Sequence, residues 1–65
     1  MKRFTYTVRV DDVNNYGIII RNLNAVGVFK LLLKTYGATM ELVQLTEFDP
    51  SLPDGKVEYC ATDSN

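Results

Sequence analysis

Few side chains in this chain could do chemistry. Histidine is absent, Cys60 is the one cysteine, and the nearest approach to paired acids is Asp11-Asp12, with Glu41 and Glu47 further along. General acid–base and nucleophilic catalysis need a positioned group of matched pKa: an imidazole, an activated thiolate, or two carboxylates sharing a site. Cys60 has no imidazole to activate it and falls in an alternating stretch, so it reads as a small packing residue. Adjacent aspartates at the end of a strand are turn formers before they are a cation site. Glu41 and Glu47 fall on one predicted strand face, too far apart to share a proton. A lone cysteine without histidine cannot furnish the four ligands of a structural zinc. Gly17, Gly27, Gly37 and Gly55 are spaced too widely for a phosphate-cradling loop. The expectation is a protein that is not an enzyme, with no catalytic residue, no metal and no cofactor.

What remains is binding, and composition says of what kind. Hydrophobic residues make up 46% of the 65 and charged residues 23%, with a formal net charge of −1. That is ordinary globular composition, with no basic run to follow a phosphate backbone, so nucleic acid is disfavoured as a partner. Residues 1–7 hold no apolar run resembling an export signal. The longest apolar stretch, residues 25–36, is interrupted by Gly27, Lys30, Lys34 and Thr35 and is too short and polar for a bilayer. An unpaired cysteine without an export signal leads to the expectation of a cytoplasmic location and no membrane partner. A chain this short buries only about 60% of its unfolded surface. Small domains usually add disulfides, a metal or a partner subunit. The first two being excluded, self-association is the expected compensation.

The elements that must position any site follow from periodicity. Residues 3–10 alternate, with Phe4, Tyr6, Val8 and Val10 against Arg3, Thr5, Thr7 and Arg9, the signature of a half-buried strand. Turn formers occupy residues 11–15, and residues 16–21, with Ile18, Ile19 and Ile20, predict a second strand closing a hairpin around Asn14-Asn15. Asn22 or Asn24 can cap a helix in which Ala25, Val28, Phe29, Leu32 and Tyr36 share a face, with Gly37 as its C-cap. Gly27 inside it costs about 1 kcal/mol relative to alanine, which suggests close packing, a later helix start, or another backbone approaching there. The helix's apolar arc, from Leu31 round to Val26, spans roughly 220°, more than one sheet can cover. Residues 39–48 alternate at first, then slip phase at Val43-Gln44, which predicts either a β-bulge or a strand buried on both faces. A turn rich in Pro and Gly follows, and residues 56–62 alternate again. The chain 1–65 is thus expected to be a single domain of α+β class: a four-stranded antiparallel sheet with one helix on one face, in the order β-β-α-β-β. Phe4, Tyr6, Val8, Val10, Phe29, Leu32, Met40, Leu42, Val57 and Tyr59 are the expected core.

One helix covers one face, so the other should expose some of Ile18, Ile20, Val43 and Leu45, flanked by Arg9, Glu47 and Lys56. An apolar patch rimmed by charge marks an interaction surface. Tyr16 and Tyr36 are expected to be partly exposed, as tyrosines at interfaces are, and Val26 and Leu31 sit at the margins of the helix's apolar arc. The candidate partner-binding residues are therefore Tyr16, Ile18, Ile20, Val26, Leu31, Tyr36, Val43, Leu45 and Arg9. The expected partners are a second copy of the chain, as a homodimer or larger, and an unidentified macromolecule, expected to be a protein.

Residues 3–12, Arg-Phe-Thr-Tyr-Thr-Val-Arg-Val-Asp-Asp, resemble the opening of ribbon-helix-helix repressors. In that family a short strand enters the major groove, and acidic residues begin the first of two helices. The resemblance implies a DNA-binding regulator with Thr5, Thr7 and Arg9 as base-reading positions. Residues 16–21 and 56–62 read as strands rather than as that family's helices, so the binding module stands first. By analogy of size it suits accessory or inhibitor proteins of phages and mobile elements; a structural subunit of a larger assembly is a further alternative.

Overall fold

A computed structural model describes residues 2–59 and shows four strands and one helix. Strands β1 (Lys2–Val10) and β2 (Val13–Arg21) form a hairpin, α1 (Ala25–Tyr36) follows, and β3 (Glu41–Phe48) and β4 (Lys56–Tyr59) complete one antiparallel sheet in the order β2-β1-β3-β4. The α+β class and the β-β-α-β-β order are those read from the sequence.

The hairpin turns at Asp11-Asp12, not at Asn14-Asn15. Both aspartates take positive φ, 52° and 64°, and Val10 pairs directly with Val13. Two consecutive left-handed residues make the turn whose twist matches that of the flanking strands, and Asp is among the residues that tolerate it. Asn14 and Asn15 continue the strand, the Asn15 side chain donating to the Val13 carbonyl at 3.1 Å. The earlier turn runs the triple isoleucine alongside Arg3, Phe4 and Thr5.

The helix begins where the Asn24 side chain accepts from the Gly27 amide at 2.8 Å, while the Asn24 carbonyl accepts from Val28. It ends at Gly37, φ 101°, whose amide donates to the Leu33 carbonyl. No foreign backbone crowds Gly27. A Cβ there would meet Asn24 Oδ1 and two Leu23 carbons, all at 3.4 Å. The β3–β4 connection is ordered by Asp49, whose carboxylate accepts from the Ser51 amide and hydroxyl at 3.0 and 2.9 Å. Those bonds, the amide first, hold the Asp49 carboxyl below its usual pKa.

Phe4, Val8, Val28, Leu32, Met40, Leu42 and Leu45 form the buried core, with Tyr6, Val10, Phe29 and others packed against it. Two expectations for residues 39–48 are corrected by one feature. Between Thr7 and Val8 of β1 the partner on β3 jumps from Gln44 to Leu42, so Val43 is the extra residue of a β-bulge. A bulge absorbs one residue of phase. Leu42 and Leu45 therefore share the helix side, and Leu45 is core at 2% exposure rather than a contact on the opposite face. By the same shift Glu47 lies opposite Phe4 on the helix side, and Glu41 lies opposite Arg9 on the other. Tyr59, expected in the core, is 37% exposed on β4. Cys60, Ala61 and Thr62 lie outside the described residues, and with them the packing role expected of Cys60.

Candidate functional site

The helix-free face carries the odd-numbered residues of β1 and their cross-strand partners. On β2 these include Tyr16, Ile18 and Ile20, opposite Thr7, Thr5 and Arg3. All three are large, apolar and unpacked, at 72%, 63% and 58% exposure. They are successive positions on one side of one strand, so they make a continuous stripe.

The middle of the face is polar and satisfied. Gln44 donates from Nε2 to the Thr5 carbonyl and hydroxyl, each at 3.3 Å, and to the Thr46 hydroxyl, while its Oε1 accepts from Thr7 at 3.2 Å. Thr7 and Thr46 are buried beneath this network. Arg3 lies over the Phe48 ring, its guanidinium carbon 4.9 Å from the centroid. At the rim Arg9 pairs with Glu41 at 3.0 Å, and Lys56 with Glu58 at 3.5 Å. Such exposed pairs contribute little to stability, about 0–1 kcal/mol each. Arg9 lies opposite Asn14, beyond the Tyr16 end of the stripe, while Lys56 and Glu58 lie on β4 at the far edge of the sheet. Among the described residues no buried side-chain nitrogen or oxygen lacks a hydrogen bond.

The remaining candidates scatter. Tyr36 belongs to the helix side, where its hydroxyl meets that of Tyr6 at 2.9 Å and the rings stand edge to face, centroids 6.0 Å apart. Its polar tip is thus engaged within the chain. The bond to Tyr36, with burial second, pushes the Tyr6 phenol up to about 12. Val26 is 61% exposed on the helix, Leu31 is half-buried there, and Val43 is half-buried at the bulge. The structure thus brings together Tyr16, Ile18 and Ile20, leaves Arg9 at the edge of their face, and places Val26, Leu31, Tyr36 and Leu45 elsewhere.

Sequence reasoning did not anticipate a shallow apolar pocket of about 240 Å³ on the helix side, lined by Ala25, Val26, Phe29, Leu42, Leu45 and Tyr59. Its walls are apolar, and the Tyr59 hydroxyl at its edge is bonded to Glu47 Oε1 at 2.9 Å. That bond raises the Tyr59 pKa above its ordinary value. Glu47 itself is 5% exposed and also reaches Lys2 Nζ at 3.5 Å. This carboxylate ties β3 to both neighbouring strands. The only prior signal for the pocket was the apolar arc of α1, wider than one sheet can cover.

Among the described residues no three His, Cys, Asp or Glu side chains converge as metal ligands, and no helix is long and apolar enough to cross a membrane. The base-reading strand implied by the ribbon-helix-helix resemblance is a central strand here. Thr7 is buried and bonded to Gln44, Arg9 is paired with Glu41, and a strand stands where that family has its first helix. Comparison with protein-family models, with curated proteins and with solved structures finds no match.

Proposed function

We propose that this chain is a small non-enzymatic protein-binding module that self-associates and acts by occupying a surface on another macromolecule. One observation carries the reading: Tyr16, Ile18 and Ile20 form an exposed apolar stripe beside a polar network in which Thr5, Thr7, Gln44 and Thr46 are hydrogen-bonded to one another and Arg9 is paired with Glu41. Side chains of this kind cost free energy in water, at about 25 cal/mol per Å² of apolar surface, and recover it on contact with a partner. Tyrosine and isoleucine together suit a protein partner better than a phosphate backbone, which calls for uncommitted cations. By its size the module suits an accessory or inhibitor role of the kind found in phages and mobile elements, in the cytoplasm.

The test is sedimentation of the purified protein at micromolar concentration, with Tyr16→Ser/Ile20→Ser alongside. The wild type should run as a dimer or larger. The variant should run as a monomer with an unchanged circular dichroism spectrum, and should lose whatever host protein the tagged wild type retains. A monomeric wild type with the same retained proteins as the variant would defeat the reading; a large closed assembly would favour a structural subunit.

A further inference from the structure

We infer that two copies join through the free edges of β2, giving one continuous eight-stranded antiparallel sheet with Ile18 on the two-fold axis. The inference rests on the reading of this chain as a self-associating module and names how it associates.

The two-residue turn decides which backbone groups of β2 are free. In such a hairpin the residues flanking the turn, here Val10 and Val13, exchange both backbone bonds, and bonded pairs then alternate with unbonded ones. Asn15, Gly17 and Ile19 therefore bond to β1. Asn14, Tyr16, Ile18 and Ile20 turn their N–H and C=O outward, away from the sheet. The outward-turned residues include the three that carry the apolar stripe.

Natural sheets guard such edges with charge, proline, bulges or short strands. Strand β2 has none of these: it is nine residues long, its pairing with β1 is uninterrupted, and Arg21 at its end is its one charge. The opposite edge differs. Strand β4 alternates Lys56 and Glu58 with Val57 and Tyr59, and a turn containing Pro50 and Pro53 leads into it. One edge is open and one is charged, which suits a closed pair rather than a growing ribbon.

Self-pairing of β2 has a preferred register. With Ile18 opposite Ile18 of the second copy, Tyr16 faces Ile20 and Ile20 faces Tyr16, all on the helix-free face. Aromatic with β-branched is a favourable cross-strand combination. On the other face Gly17 meets Ile19, and Arg21 meets Asn15, so no like charges oppose. Centring on Gly17 would set Ile20 against Asn14, and centring on Ile19 would set Tyr16 against Asn22. Only the Ile18 register matches every member of the stripe with another member. It also satisfies the outward groups of Tyr16, Ile18 and Ile20 in about six new backbone bonds, two for each of three bonded pairs.

Residue-resolved amide exchange at high and low protein concentration tests this, together with sedimentation. The amides of Tyr16, Ile18 and Ile20 should gain at least about tenfold protection in the dimer, while those of Asn15, Gly17 and Ile19 are protected in both states. In a Cys60→Ser background, Ile18→Cys should cross-link to itself on oxidation, since a bonded pair sets its Cα atoms about 5.5 Å apart. Tyr16→Cys should cross-link to Ile20→Cys only when the two variants are mixed. A dimer in which the three outward amides exchange as freely as in the monomer would overturn strand pairing while leaving self-association intact. Cross-linking of Tyr16→Cys with Ile18→Cys, instead of with Ile20→Cys, would overturn the register. A monomer at every concentration would overturn self-association and the pairing with it.

Discussion

Two glycines that look alike in the sequence carry opposite expectations once their surroundings are known. Gly17 sits opposite Tyr6, whose ring lies across it: a Cβ there would collide with the Tyr6 hydroxyl and come within 2.8 Å of Cε2. That ring is held in place by the Tyr36 hydroxyl. Gly17→Ala must displace it and should destabilise the fold by about 1–3 kcal/mol, read as a lowered denaturation midpoint. Gly27 meets only ordinary contacts in the first turn of α1, so Gly27→Ala should instead stabilise, by up to about 1 kcal/mol. The same tyrosine gives a pH prediction. Tyr6 is raised from 10.0 to about 12, so the folded state holds its proton more tightly than the unfolded chain. Its contribution is complete below pH 10 and is lost as the pH climbs towards 12. Tyr59 is shifted in the same direction. Tyr6→Phe should therefore weaken, without abolishing, the alkaline loss of stability in denaturation curves taken across that range.

At the scale of elements, periodicity was a reliable guide wherever one phase ran unbroken. The alternation of Phe4, Tyr6, Val8 and Val10, and the helical spacing of Val28 and Leu32 between Asn24 and Gly37, appear in the structure as read. Leu32, 1% exposed beneath the helix, should cost about 2–5 kcal/mol when replaced by alanine. What could not be read was phase across a defect. The slip at Val43-Gln44 is visible in the sequence, but a bulge and a strand buried on both faces produce the same pattern. Only the pairing with Thr7 and Val8 decides between them. Leu45 and Glu47 went to the unexpected face for that one reason. The turn was obscured differently, because Asp11-Asp12 and Asn14-Asn15 both accept left-handed backbone, and the choice rests on how much of β2 can pair with β1. The apolar stripe was legible as Tyr16, Ile18 and Ile20; that its middle neighbours form a satisfied polar network was not. Deleting Val43 should remove the bulge, keep Leu42 and Leu45 in phase, and leave a cooperative unfolding transition. Deleting Thr46 should turn Glu47 and Phe48 to the wrong faces and abolish that transition.

For the whole molecule, the governing fact is how little core there is. Seven hydrophobic side chains are buried among the described residues, and the helix and β2 leave Val26, Tyr16, Ile18 and Ile20 largely in water. Folding free energy is a small difference between large terms, so a few exposed apolar side chains are a substantial fraction of the margin. If those on β2 are covered by a second copy, association is linked to folding, and stability must depend on protein concentration. The thermal midpoint of the wild type should therefore rise as concentration is increased through the micromolar range. Ile18→Lys sets two ammonium groups against each other on the proposed axis and is harmless to a monomer, because the side chain is already 63% exposed. Its midpoint should lie below that of the wild type and should not move with concentration. Lys30→Glu, on the exposed polar side of α1, changes charge without touching β2 and should keep the wild-type dependence. A wild-type midpoint that stays constant across a hundredfold range, about 2.7 kcal/mol of mass action, would mean that the small core suffices alone and that the stripe on β2 awaits a different protein.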